Sequence, residues 1–205
     1  MHRLRLAVTA LTLLCASAAT GASAPVIKKT YSYFDISGLT GAELERELSK
    51  YGPMLDETGV RHPGATKIRL GGSVDYQKTG GKCRVLDATV TLETHLTLPR
   101  WINRSKANRD TVLIWDTLSS DIKRHEERHA EIARQHARKL EKTLEALHPQ
   151  RTCKLMEARV DATSKSIIDK HAADQERFDR VEAASFERRM LRMLRFKVEK
   201  LNNRS

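Results

Sequence analysis

Three residues within RHEERHAEIARQHAR, Arg124 to Arg138, have the types and spacing of a metal-dependent hydrolytic site. His125-Glu126-Glu127-Arg128-His129 fits the pattern H-E-x-x-H: two imidazoles one helical turn apart reach the same Zn²⁺, and the first glutamate serves as general base toward the attacking water. Neutral imidazoles in a partly dry site bind zinc well, and the metal lowers the pKa of its water toward ~7. The competing reading is a charged surface helix, because five-residue matches arise by chance where Glu, Arg and His are abundant. Glu127, Arg128 and Glu131 read as ordinary solvent-facing charge.

A catalytic zinc takes a third protein ligand. His136 returns to nearly the same helix face, but seven residues beyond His129 at ~1.5 Å each place it ~10 Å away, out of coordination range. A second long helix supplies better candidates. If it folds back on the first, with paired ends near Leu147 and Lys154, His129 faces about position 172. That register favours His171, and Asp174, Glu176 and Asp179 follow it over about the next two turns.

Helical periodicity positions these groups. Trp115, Leu118, Ile122, His125, His129, Ile132, His136, Leu140, Leu144 and Leu147 fall on one stripe, so both histidines face the interior. Met156, Val160, Ile167, His171, Phe178 and Val181 mark the second helix, and the short link from His148 to Thr152 predicts an antiparallel helical hairpin. Upstream, Lys28 to Ile36 alternates as a strand, and Thr40-Gly41-Ala42-Glu43 is a capping box opening a helix that stops at Gly52-Pro53. Thr66 to Tyr76 and the run CRVLDATVTLETHLTLP alternate around the turn KTGGK, with Leu86, Ala88, Val90, Leu92, Leu96 and Leu98 on one face and Pro99 at the end. Strands first and helices later predict an α+β fold, a small antiparallel sheet packed against a long antiparallel helical hairpin, with a zincin-like active helix.

A chain of 205 residues has room for one such domain. Residues 1–24 run from Arg3 and Arg5 through an apolar stretch into small residues, the layout of a cleaved signal peptide, so residues 25–205 form the domain and the expected location is periplasmic or secreted. Removing the signal discards Cys15 and leaves Cys83 and Cys153, for which an oxidising compartment predicts a disulfide worth roughly 4 kcal/mol in the chain-entropy model. The net charge of +11 is concentrated late: residues 186–205 hold seven Arg or Lys against two Glu. Export argues against nucleic acid, and this basic amphipathic C-terminal helix suits an anionic membrane surface or an acidic partner.

Several blocks together resemble a bacterial family of uncharacterised exported proteins described as predicted secreted zinc-dependent proteases. They are YSYFDISGLTGAELERELSKYGP, GKCRVLDATVTLETHLTLPRW, Trp115, HEERHAEIA and Arg177-Phe178-Asp179. The resemblance implies one Zn²⁺ per chain, His125 and His129 as ligands, Glu126 as base, and a peptide or protein substrate. In that family the aromatic-Asp pair is followed by Thr and then His-Gly, whereas Val181 to Ser185 has neither Thr nor His. The third ligand therefore stands open between Asp179 and His171.

Two functions compete at this point. One is an exported zinc-dependent peptidase. The other is a non-catalytic envelope module, a disulfide-stapled, inactive metalloprotease-like domain whose basic helix docks on an acidic partner or an anionic membrane.

Overall fold

The computed structural model describes residues 24–54 and 59–203. The signal assigned to residues 1–24, apart from Ala24, lies outside the described residues. The described chain is α+β: β1 (Val26–Ile36), α1 (Gly41–Tyr51), β2 (Ala65–Thr79), β3 (Lys82–Trp101), α2 (Arg109–Glu145) and α3 (Cys153–Asn202). No helix among the described residues is long and apolar enough to cross a membrane.

The sheet order is β1-β3-β2, with β3 central. β2 and β3 form the expected antiparallel hairpin around Gly80-Gly81, whose φ values of 59° and 73° are the left-handed pair that a tight two-residue turn requires. The sheet is nevertheless mixed, not wholly antiparallel, because β1 pairs parallel with β3. Its origin is topological. α1 and the segment after it carry the chain past β3's place, β2 runs back along the far edge, and the hairpin then inserts β3 beside β1 in the same direction.

Two details of β3 differ from the alternation of its sequence. Tyr76 pairs with Val85 while Asp75 pairs with Asp87, so Leu86 is a bulged extra residue and is 56% exposed instead of lining the core. Pro99 does not end the strand, which continues to Trp101. β2 has already stopped opposite Thr97, so the proline lies where one flank of β3 has no strand left to bond.

The inner face of the sheet packs on α2. Cys83, Val85, Ala88, Val90 and Leu92 meet Ala133, Ala137, Leu140 and Leu144, and α3 closes the cluster with Met156, Val160 and Ile167. A second cluster gathers Ile36, Leu44, Leu48, Trp101 and Trp115. There the Thr40–Glu43 capping box starts α1, and the Trp101 indole donates to the Gly38 carbonyl at 2.7 Å. One buried polar contact was not legible: Glu141 accepts the backbone N–H of Val90 at 2.8 Å, satisfying a strand donor from the helix above it.

The helical hairpin forms as expected, but its register differs by about one turn. α2 ends at Glu145, earlier than Leu147, and the link is pinned to the sheet: Cys83 and Gln150 exchange two backbone hydrogen bonds of 2.8 Å, and Cys83 is disulfide-bonded to Cys153. His129 consequently meets Gln175 where the sequence placed position 172. Farther along, Val181 is 58% exposed and leaves the proposed stripe. Residues 186–202 continue α3 without a break, so the basic segment is not a separate helix. Arg189 anchors it to α2, and Leu191, Phe196, Val198 and Leu201 are exposed beyond.

Candidate metal centre

α2 places His125 and His129 one turn apart, and the shifted register of α3 brings Asp179 over both. The His125 and His129 Nε2 atoms are 3.0 Å apart, and Asp179 Oδ1 lies 3.0 Å from His129 Nε2 and 3.3 Å from His125 Nε2. Three lone-pair donors at this spacing repel one another unless a proton or a cation sits among them. Tetrahedral zinc with bonds of about 2.0–2.1 Å holds its ligands about 3.3 Å apart, so the triangle fits the base of such a site. Among the described residues this is the group of three His, Cys, Asp or Glu side chains able to hold a metal ion.

α3 bonds the other ring nitrogen of His129 and sets a carboxylate near that of His125. His129 Nδ1 lies 2.6 Å from Gln175 Oε1, and His125 Nδ1 faces Glu182 Oε2 at 3.8 Å. Phe178 stacks on the His125 ring at 4.9 Å between centroids and meets His129 edge-on at 5.1 Å. Burial, reinforced by the neighbouring His129, holds the His125 pKa below its ordinary value despite Asp179 and Glu182, which favours the neutral ring that binds metal.

Glu126, on the same turn, is held against the segment that opens β2 and is only 5% exposed. Thr66 donates to its Oε2 at 2.8 Å, and Gly64 lies so close that a Cβ there would stand 2.9 Å from Oε1. Burial raises the carboxyl's pKa, against the hydrogen bond from Thr66 and the influence of His129. This moves a carboxylate toward the range of a useful base.

Other assignments resolve differently. His171 is not at the triangle: its ring lies 5.5 Å from that of His136, and its Nε2 is 2.8 Å from Gln175 Nε2. The register shift explains this, since it moves every residue of α3 by about one turn against α2. His136 is buried and bonds Asp174 at 2.9 Å. Glu127 is not free solvent-facing charge, because Lys29 donates to it at 2.7 Å and Tyr31 also donates to it, binding β1 to α2. Gln175, Glu182, Thr66 and Gly64 were missed. Only their position reveals them, since none belongs to a motif.

Two cavities flank the area. An apolar one of about 390 Å³ is lined by Leu44, Leu48, Pro63, Trp115, Leu118 and Phe186, and Pro63 precedes the glycine that abuts Glu126. A more charged cleft of about 700 Å³ runs past Lys29, Arg124, Glu127, Arg128 and Arg134 to Phe178, and none of the three donor residues lines it.

A family model described as "Bacterial protein of unknown function (DUF922)" matches residues 31–186, a span containing every residue of the centre. No curated protein and no solved structure matches the chain. With well over half of its length matched, the chain belongs to this family, whose description names no activity.

Proposed function

We propose that this member of a bacterial family of unknown function is an exported zinc-dependent peptidase. The observation that carries the reading is the triangle of His125 Nε2, His129 Nε2 and Asp179 Oδ1, with edges of 3.0 to 3.3 Å, beside a buried glutamate on the same turn of α2. His125, His129 and Asp179 would hold the metal. Zinc, when bound, supplies a Lewis acid and lowers the pKa of water. Glu126 accepts the proton of the attacking water and passes it to the leaving nitrogen. Thr66 holds Oε2 of that carboxylate and leaves Oε1, beside Gly64, for proton transfer.

The supporting observations are chemical. Burial of Glu126 raises its pKa as a general base requires. The cavity next to Pro63 is apolar and of a size that accepts a hydrophobic side chain. Export is supported by the Cys83–Cys153 bridge, since disulfides persist in oxidising compartments.

Metal analysis tests this reading. Protein purified in metal-replete buffer should carry about one zinc per chain, a His125→Ala/His129→Ala variant none, and Glu126→Gln should keep the metal while losing peptide hydrolysis. Wild-type protein without zinc, or Glu126→Gln with undiminished turnover, would overturn it.

A further inference from the structure

We propose that Gln175 is the positioning residue that fixes the tautomer of the neutral His129 ring and thereby presents its Nε2 as a bare ligand. The inference rests on the metal-centre reading for its consequence, but its geometry stands on hydrogen bonds alone.

A glutamine amide offers two donors and one acceptor oxygen, and its orientation follows from its neighbours. Gln175 Nε2 lies 3.1 Å from the backbone carbonyl of His129, which can only accept. The nitrogen end must therefore face that carbonyl, because the reversed amide would set two oxygens against each other. Oε1 is then the atom 2.6 Å from His129 Nδ1, and an amide oxygen can only accept, so Nδ1 carries the proton. In the neutral ring this leaves a lone pair on Nε2, the atom that faces His125 and Asp179 at 3.0 Å each. The second amide proton goes to His171 Nε2 at 2.8 Å. That contact gives His171 a role where coordination would not: it takes the remaining donor of the amide.

The arrangement ties ligand chemistry to helix register. One residue of α3 reads both the backbone and the side chain of His129, so the ring is held only where the two helices are correctly apposed. Partners of this kind, bonded to the remote nitrogen of a metal-binding histidine, typically contribute about 10–100-fold in metal affinity.

The experiment compares wild type, Gln175→Met and Gln175→Glu, each checked for folding by its thermal melt. Long-range ¹⁵N–¹H correlation spectra of the metal-free proteins report which His129 nitrogen carries hydrogen. Competition with a chromogenic chelator reports zinc affinity. Wild type should show the Nδ1–H form; Gln175→Glu keeps the acceptor for Nδ1 but replaces the donor to the His129 carbonyl by an oxygen, so it should melt lower yet retain that form while folded. Gln175→Met should move toward Nε2–H and bind zinc about 10–100-fold more weakly. An Nε2–H ring in wild type, or Gln175→Met with unchanged tautomer and affinity, overturns the proposal. Should Gln175→Met fail to fold, wild type and Gln175→Glu decide it, an Nε2–H ring in either one counting against. If wild type binds no zinc, the peptidase reading fails while the spectra still judge Gln175.

Discussion

Arg189 grips Asp121 with both arms of its guanidinium: Nε lies 3.0 Å from Oδ1, and Nη2 lies 3.0 Å from Oδ2. The pair is nearly dry, with side chains 12% and 4% exposed, and it ties the late part of α3 to α2 one turn before His125. Arg189 also reaches Glu182 and Ser185, so the basic segment is rooted in the fold by a residue that charge counting assigns to a surface.

Acid should therefore loosen this end of the hairpin. Burial raises the Asp121 pKa, but the hydrogen bonds from Arg189 and Arg124 outweigh it and leave the folded value below the ordinary 3.8. A depressed folded pKa contributes stability that is present above the unfolded value and is lost as pH falls through the folded one. Urea melts should thus weaken below about pH 4, and Arg189→Ala should flatten that acid limb. The variant should also lose about 2–3 kcal/mol at neutral pH, less than the roughly 3–5 for a buried charge left with no partner, because Arg124 still bonds Asp121. Unchanged stability would mean that the pair is dispensable.

Gly64 makes a second, independent prediction. A Cβ there would stand 2.9 Å from both Glu126 Oε1 and Ile122 Cγ2, so Gly64→Ala must displace the carboxylate or the strand. Zinc content should stay at the wild-type level, because no ligand is touched. Turnover should fall by about 10²-fold, the cost of moving a catalytic group by roughly 1 Å. Steady-state kinetics alongside metal analysis checks both halves, and wild-type turnover would remove Glu126 from the proton transfer.

The disulfide provides a third. Cys83 joins β3 to the first residue of α3, and the same cysteine pairs through its backbone with Gln150. A Cys83→Ser/Cys153→Ser double variant should lose about 2–4 kcal/mol in chemical denaturation. Because the link sets the helical register, its zinc affinity should fall as well, although no ligand has changed. A destabilised variant with wild-type affinity would separate register from the bridge.

Much of the positioning scaffold was legible because it is periodic. The stripe from Trp115 to Leu147 placed His125 and His129 inward, and the two cysteines outside the expected signal pointed to their pairing. What was not legible depends on offsets that periodicity does not encode. The link pinned at Cys83 moved α3 by about one turn, which settled Asp179 rather than His171 beside the imidazoles. The bulge at Leu86 reversed one side chain, and a parallel β1 came from the path of the chain between strands. Gln175 could not be found in advance, because an amide gains meaning only from the groups around it.

The three donor atoms come from two helices, His125 and His129 from one and Asp179 from the other. An ion seated among them is then a cross-link as well as a cofactor. The hairpin becomes a closed loop, with a covalent clasp at Cys83–Cys153 and a coordinate clasp some 26 residues along α3, about 39 Å at 1.5 Å per residue. A chelator would open one clasp and leave the other shut. Metal supply would thus add to the hold that Arg189 and Arg124 already have on the later half of α3, tightening the hairpin without being what docks it.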